Sequence, residues 1–164
     1  MVDYLESTGF YDHCQHGFVT GRSTLTNLLE TLESWTRISD EGYGIDVIYL
    51  DYRKAFDTVP HKRLLEKAKR LGINGKLLIW LEQFIYDRAT RVQVNGSFSN
   101  WFRVLSGVPQ GSVLGPLLFL IYVQDLPQWL RNSIIMFADD TKLWTRISKL
   151  EDSESLQKDL WRLA

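Results

Sequence analysis

The sequence predicts an α+β fold, in which helices pack on antiparallel strands. Apolar residues recur with helical spacing in several segments, and short segments rich in β-branched residues lie between them. The dipeptide Asn95-Gly96 separates two short segments, which is typical of a β-hairpin. The 164 residues are 45% hydrophobic and 13% aromatic, so the chain can bury the core of one domain.

Helices dominate the first half of the predicted fold. Residues 1–11 have the pattern of a helix end, and residues 23–39 carry a helical apolar stripe made of Leu25, Leu28, Leu29, Leu32, Trp35 and Ile38. Gly42 and Gly44 end that helix, and residues 45–50 (Ile-Asp-Val-Ile-Tyr-Leu) predict a buried strand. Pro60 is expected in the first turn of a helix closed by Gly72. A further helix is predicted over residues 75–86, with these residues inward: Leu77, Leu78, Leu81, Phe84 and Ile85.

Strands are predicted mainly in the second half. Residues 91–94 and 99–105 are expected to pair across the Asn95-Gly96 turn. A glycine-rich loop at 106–115 precedes an apolar helix at 116–125, two strands at 134–137 and 142–147, and an amphipathic helix from Leu150 onward. The longest apolar run, residues 113–123, is too short to span a bilayer, so we interpret it as buried core.

Charge and cysteine content restrict the function classes only weakly. The formal net charge of -1 neither favours nor excludes nucleic-acid binding, because acidic metal ligands can mask a basic surface in the total. Cys14 is the single cysteine, which excludes an internal disulfide. Together with the lack of a signal-peptide pattern, this predicts an intracellular, reducing compartment, either nucleus or cytoplasm.

Three aspartates carry the functional interpretation. Asp139 and Asp140 lie between two predicted strands, and both can serve one site only if the chain bends there, so we place them at a hairpin tip. Asp51 ends another apolar strand, and laying that strand beside the hairpin would bring three carboxylates together. Such a cluster repels itself unless cations neutralise it, and oxygen ligands suit Mg²⁺. The alternative is an exposed Asp-Asp turn, with Asp51 capping a helix.

Four segments, in this order, resemble reverse transcriptases, especially those of non-LTR (LINE-like) retrotransposons. They are Gln15-His16-Gly17-Phe18 with Gly21-Arg22-Ser23-Thr24, Leu50-Asp51-Tyr52-Arg53-Lys54-Ala55-Phe56-Asp57, Ser106-Gly107-Val108-Pro109-Gln110-Gly111-Ser112 with Leu114-Gly115-Pro116, and Phe137-Ala138-Asp139-Asp140. The reverse transcriptases of group II introns are the alternative group with the next most similar motifs. The resemblance implies an RNA-directed DNA polymerase, a nucleotidyltransferase with a polymerase palm, partial fingers and no thumb. It divides one domain fragment (1–164) into partial fingers (1–44), palm (45–148) and a following helix (149–164).

The resemblance also implies a two-metal site. Asp51 and Asp139 match the family residues that bind two Mg²⁺ ions, with Mn²⁺ as an alternative. Asp140 matches the third acid, and the carbonyl of Tyr52 a further ligand. A pair of ions roughly 3.5–4 Å apart would serve in-line phosphoryl transfer.

Other residues match the family's nucleotide and template contacts. The backbone around Arg53, Lys54 and Ala55 resembles the segment that meets the triphosphate of a dNTP. Phe56 matches an aromatic that selects deoxyribose, with a plain core role as the alternative. The loop containing Gln110 and Gly111 resembles the element packed against nucleotide and template, or it forms only a helix-entry turn.

The remaining assignments concern partners. Arg22 resembles a residue near the template strand, with a solvated surface role as the alternative, and the implied partners are an RNA template, a DNA primer and further segments of a retrotransposon polyprotein. His16 and His61 match no catalytic role, so we expect both to be structural. The basic residues Lys62, Arg63, Lys67, Lys69 and Arg70 either touch phosphates or form a solvated helix face.

The sequence also departs from the family. We find no match to the preceding basic finger strands, to the thumb, or to the lysine that follows the aspartate hairpin. The chain is therefore expected either to belong to a longer active enzyme or to be a catalytically incompetent remnant that binds nucleic acid or a protein partner. Another palm-type enzyme, such as a nucleotide cyclase, would not explain the Pro109-Gln110-Gly111 loop.

Overall fold

A computed structural model describes residues 1–163, and the chain forms two compact units. The first unit contains Met1–Arg53 and the residues from Val123 onward, and the second is Lys54–Tyr122. Both units contain helices and antiparallel strands, which confirms the predicted α+β class. The expected division into fingers, palm and following helix stays a prediction.

A three-stranded antiparallel sheet organises the first unit. Its strands are β1 (Gly44–Leu50), β6 (Ser133–Phe137) and β7 (Asp140–Ile147), in the order β1-β7-β6. The helices of this unit are α1 (Val2–Ser7), α2 (Thr24–Asp40) and α7 (Leu150–Leu163), and a 3₁₀ turn covers Leu126–Trp129. α2 packs on β1 and β6, while α7 packs on β7. The buried side chains of β6 and β7 are Ile135, Met136, Thr141, Leu143 and Trp144.

Helix α2 turns its polar side toward the sheet. Its start is fixed by a capping box, in which Ser23 and Thr26 satisfy each other's backbone N–H groups. Asn27 and Thr31 are buried, whereas four residues of the predicted apolar stripe are at least half exposed: Leu25, Leu28, Leu29 and Leu32. The helix was therefore predicted correctly, but its apolar face is not its core face.

The second unit is mainly helical and includes α3 (Ala55–Thr58), α4 (His61–Arg70), α5 (Gly75–Ile85) and all but the last residue of α6 (Leu114–Val123). Leu81 and Ile85 of α5 are fully buried as expected, but Leu77 is 44% exposed, so its inward assignment was wrong. Leu118, Phe119, Leu120 and Ile121 of α6 form core, whereas Val113 before the helix is 95% exposed. Among the described residues, no helix combines the length and the apolar character that crossing a membrane requires.

The strands of the second unit are two residues long. β2 (Ala89–Thr90) pairs with β5 (Phe102–Arg103), and β3 (Gln93–Val94) pairs with β4 (Ser97–Phe98). Asn95 and Gly96 have φ angles of 47° and 80°, the left-handed values that a type I′ hairpin turn requires, which confirms the predicted turn. The expected strand at 99–105 was wrong, because pairing begins at Ser97 and breaks before Phe102.

Charge is divided unequally between the units. The second unit contains ten Lys and Arg against four Asp and Glu, a formal charge of +6. The first unit contains nine Lys and Arg against sixteen Asp and Glu, a formal charge of -7. The nearly neutral total therefore hides one basic and one acidic unit, as the sequence allowed.

Candidate functional site

The sheet register of the first unit places Asp51 beside Asp140. β1 and β7 pair from Gly44 opposite Ile147 to Leu50 opposite Thr141. Asp51 follows Leu50 and Asp140 precedes Thr141, so both aspartates lie directly beyond the last pair of this ladder, at the same end of the sheet. Both residues are exposed, at one end of the sheet.

Asp139 lies in the two-residue turn that joins β6 to β7. Phe137 pairs with Asp140, and Ala138 and Asp139 form the turn between them. Ala138 adopts a left-handed φ of 57°, which costs a non-glycine residue about 1–2 kcal/mol. The bend allows neighbouring aspartates to serve one end of the sheet, as the hairpin-tip prediction required.

Residues 14–17 support this turn from the outer edge of β6. The N–H of Met136 donates to the carbonyl of Cys14, and the N–H of His16 donates to the carbonyl of Met136, each at 2.8 Å. Gln15 is 1% exposed, and its side-chain oxygen accepts from the N–H of Ala138 at 2.9 Å. Its side-chain nitrogen lies 3.4 Å from the carbonyl oxygen of Ala138, to which it donates.

Gly17 makes the closest backbone approach to the same turn. A Cβ atom added at Gly17 would lie 2.2 Å from the nitrogen of Ala138 and 2.9 Å from the carbonyl carbon of Phe137. Real Cβ atoms essentially never approach another heavy atom that closely. The absence of a side chain at position 17 is therefore a condition for the observed packing.

Polar side chains of α2 and β7 complete the surroundings of β6. Asn27 donates from its side chain to the carbonyl of Met136 at 3.2 Å, and it accepts from Lys142 Nζ at 2.9 Å. The sequence interpretation missed these roles of Gln15, Asn27 and Lys142. The only sequence signal was their place in, or near, the motifs that carry the resemblance.

Arg22 and His16 are engaged within the protein. One terminal nitrogen of Arg22 donates to the carbonyls of Asp12, His13 and Gln15 at 2.6–2.9 Å. The buried His16 ring contacts the hydroxyl of Thr26 and the carboxylate of Glu30, and burial is the main cause that lowers the pKa of this imidazole. These contacts give both residues a structural role, while template contact by Arg22 stays a prediction.

The residues after β1 continue the candidate site. Tyr52 is half-buried, and burial raises the pKa of its phenol. Its hydroxyl is buried without a hydrogen-bond partner among the described residues. Arg53 is exposed.

In the second unit, the loop at 106–112 is bound to the segment around α3. The N–H of Val108 donates to the carbonyl of Phe56 at 2.9 Å, and the side chain of Gln110 donates to the Asp57 carboxylate at 2.5 Å. The Phe56 ring stacks on Phe119, with centroids 4.2 Å apart. Within this unit, contacts between residues up to 53 positions apart thus join two sequence motifs into one structural element.

The other predicted site residues of the second unit lie at the start of α3 and in the loop at 106–112. Lys54 caps α3 with a left-handed φ of 53°, and Ala55 is the first helical residue. Gly111 has a φ of 76°, and an added Cβ would meet nothing within 4 Å. His61 contacts the carbonyl of Gly107 at 2.9 Å, which supports its structural interpretation.

A cavity of about 680 Å³ borders the loop within the second unit. Its lining includes Arg88, Thr90, Leu105, Ser106 and Gln110. Arg88 donates to the carbonyl of Gly107 at 2.6 Å, and burial lowers the pKa of its guanidinium. The cavity wall is therefore part of the same hydrogen-bonded loop.

The three aspartates suit divalent cations by donor chemistry and by backbone position. Carboxylate oxygens are the ligands that Mg²⁺ and Mn²⁺ prefer, and the register sets all three at one end of the sheet. Across residues 1–163, however, no three Asp, Glu, His or Cys side chains converge so that they could hold one ion. The backbone therefore places the three aspartates suitably for a cation. Their carboxylates would have to turn toward one another to bind it.

Comparison with known proteins finds one matching family model and several similar mobile-element proteins. The family model "Reverse transcriptase (RNA-dependent DNA polymerase)" matches residues 1–160. The chain is 32% identical over 145 residues to "Probable RNA-directed DNA polymerase from transposon X-element" of Drosophila melanogaster, covering 85% of this chain and 16% of that protein. It is 32% identical over 172 residues to the Pol polyprotein of the type-1 retrotransposable element R2 of Popillia japonica, covering 95% of this chain and 23% of that protein.

Solved structures show the same fold. Apo telomerase from Candida tropicalis superposes with a TM-score of 0.68 at 14% identity, covering 96% of this chain and 34% of that chain. The chain spans only 12–16% of the length of three similar transposon polymerases from Drosophila melanogaster, the X-element protein among them. The motifs, the sheet that carries three aspartates, and the match over residues 1–160 agree that this chain belongs to the reverse transcriptase family, with non-LTR retrotransposon enzymes among its relatives.

Proposed function

We propose that the chain is the catalytic core segment of an RNA-directed DNA polymerase. In this reaction the 3′-hydroxyl of a primer attacks the α-phosphate of a dNTP, paired to an RNA or DNA template, and pyrophosphate leaves. The observation that carries the proposal is the β1-β7-β6 register, which brings Asp51 and Asp140 to the same end of the sheet, with Asp139 in the adjoining turn. Family membership supports the same reaction.

Asp51, Asp139 and Asp140, with the carbonyl of Tyr52, are the proposed ligands of two divalent cations. Such cations supply positive charge that favours the ionised primer hydroxyl and balances charge on the leaving pyrophosphate. The work of the protein is then to hold the carboxylates at fixed positions before the reaction begins. The short turn between β6 and β7 supports this role, because it leaves the backbone of Asp139 little freedom.

The nucleotide contacts are proposed separately for each unit. In the first unit, Tyr52 and Arg53 follow the strand that ends before Asp51. In the second unit, Lys54, Ala55 and Phe56 form the start of α3, and Gln110 and Gly111 lie in the loop bonded to it. The hydrogen bonds between loop and helix support a shared role in holding the dNTP. Arg22 is the proposed template contact.

Substitution of one aspartate tests the proposal. Asp139→Ala is expected to weaken Mn²⁺ binding. In a polyprotein that contains this segment, it should also lower the rate of primer extension at least about a hundredfold, by analogy with loss of a preorganised catalytic group. Asp46→Ala is the matched control. Asp46 is an exposed aspartate of the same sheet, paired with Thr145 away from the turn, and its contact is a hydrogen bond from Ser153.

Two results would contradict the proposal. The first is primer extension by Asp139→Ala at the level of the Asp46→Ala control. The second is template-primer binding by the unsubstituted polyprotein without any extension, which would instead support a remnant that only binds nucleic acid.

A further inference from the structure

Gln15 makes a set of hydrogen bonds that the proposed chemistry does not yet use. The side chain is 1% exposed, although no ligand role or charge requires a polar group there. Its oxygen accepts from the N–H groups of Gly17 and Ala138 at 2.8 and 2.9 Å, and its nitrogen donates to the carbonyl of Ala138. One carboxamide therefore contacts both the donor and the acceptor of the residue at the start of the turn.

The geometry suits glutamine in particular. A carboxamide offers an acceptor and a donor on one short planar group, whereas a carboxylate cannot donate and an ammonium cannot accept. Ala138 has a φ of 57°, and a non-glycine residue keeps such a conformation only where its surroundings fix it. Gln15 supplies the side-chain hydrogen bonds to the backbone of Ala138, beside the close packing of Gly17.

The backbone on either side of Gln15 is fixed in turn. The hydrogen bonds of Cys14 and His16 to Met136 hold residue 15 beside β6, and Gly17 lies directly against Ala138. The side chain of Gln15 is thus presented to the turn from a rigid segment. Because Asp139 and Asp140 follow Ala138 directly, rotation of the Ala138 peptide would redirect both carboxylates.

We propose that Gln15 is a positioning residue, which fixes the Ala138 peptide so that Asp139 and Asp140 are aimed at a shared cation site. The inference rests on the proposed function for its metal component. Gln15 would affect the site only through the backbone of the turn and would not itself contact substrate or cation.

The test uses Gln15→Met in the full 164-residue chain. Methionine keeps the length and volume of the side chain but removes the acceptor and the donor. Two measurements are made: amide hydrogen exchange at residues 138–140 by NMR, and the affinity for Mn²⁺ alone. We expect exchange at Ala138 to accelerate about tenfold or more, and Mn²⁺ binding to weaken about tenfold, equivalent to about 1.4 kcal/mol.

Thr31→Val is the matched control. Thr31 is equally buried in the same unit, and its hydroxyl donates to the carbonyl of Asn27 at 2.7 Å, one turn back along α2. The change removes a buried hydrogen bond without touching the turn. We expect the control to alter thermal stability but neither exchange at residues 138–140 nor Mn²⁺ affinity.

A double substitution separates positioning from general damage, and it also serves if Gln15→Met alone does not fold. Glycine adopts positive φ without strain, so Ala138→Gly should make the turn less dependent on Gln15. We expect Gln15→Met to weaken Mn²⁺ binding less than threefold in the Ala138→Gly background. A loss there as large as in the original background would overturn the proposal.

The remaining outcomes are distinguishable. Unchanged exchange at Ala138 in Gln15→Met, or an equal loss of Mn²⁺ affinity in Thr31→Val, would overturn the positioning role. If the unsubstituted chain binds no Mn²⁺, the proposed metal site fails and with it the metal component of this inference. The exchange measurement would then still decide whether Gln15 fixes the turn.

Discussion

Substituting Gly17 by alanine tests the closest backbone contact around the aspartate turn. The new Cβ would lie 2.2 Å from the nitrogen of Ala138, whereas ordinary contact begins at 3.4 Å, so the two segments must separate by about 1.2 Å. The bonds between residues 14–16 and Met136 are 2.8 Å long, and such a separation would carry them past hydrogen-bonding distance.

The expected cost follows from the bonds at risk. Two backbone hydrogen bonds and those of the Gln15 side chain join the two segments, each worth about 1 kcal/mol. We expect Gly17→Ala to lower the free energy of unfolding by about 2–4 kcal/mol. For a chain of this size the melting temperature should fall by about 5–15 °C.

Gly44→Ala provides the control for this experiment. Its new Cβ would lie 3.6 Å from the Cβ of Ile147, an ordinary contact, so stability should change by less than about 1 kcal/mol. Urea denaturation followed by circular dichroism measures both variants. If Gly17→Ala is as stable as Gly44→Ala, the close approach of residue 17 to the turn is refuted.

Two further predictions concern stability elsewhere. Asp159 is fully buried and accepts hydrogen bonds from the backbone N–H groups of Arg131 and Asn132, and from the side chain of Arg162. Burial alone raises the pKa of this carboxyl, but the backbone N–H groups of Asn132 and Arg131 lower it, and the net pKa lies below its ordinary value. The ionised Asp159 carboxylate stabilises the folded chain fully above its unfolded pKa of about 3.9. This stabilisation is lost as the pH falls through the lower pKa of the folded state. Asp159→Asn should therefore cost about 1–3 kcal/mol at neutral pH and less in acid. Urea titrations that give equal differences at pH 7 and pH 3 would contradict this. On α5, Leu81→Ala should cost about 2–5 kcal/mol and Leu77→Ala less than about 1 kcal/mol, because only Leu81 is buried. Equal losses in urea titrations of these two variants would restore the inward assignment of Leu77.

Local patterns predicted the elements that carry the aspartates. The β-branched segment at 45–50 became β1, and the apolar residues before Asp139 became β6, because both signals are short-range and strong. The bend at Asp139-Asp140 followed from the alternation of side chains along a strand. The sheet register lays β1 beside the aspartate hairpin, as those patterns indicated, while the meeting of the three carboxylates around shared cations stays a prediction.

Other features depend on partners far away in the chain. The contact between Gln15 and Ala138 spans 123 positions, and no local pattern encodes it. The orientation of α2 was also unpredictable from its leucine stripe, because Asn27 bonds to β6 and turns the polar side inward. α3 has four residues, and β2–β5 have two each, so none is long enough to show a period.

The opposite charges of the two units have a consequence for purification and for encounter with polyanions. A chain with a total charge near zero would be expected to pass through ion exchangers. Here the basic unit can bind a cation exchanger and the acidic unit an anion exchanger. Retention on both cation and anion exchangers at low ionic strength follows, with elution as salt screens each unit. A phosphodiester strand would likewise be attracted to residues 54–122 and repelled by the acidic first unit, and both effects weaken as the salt concentration rises.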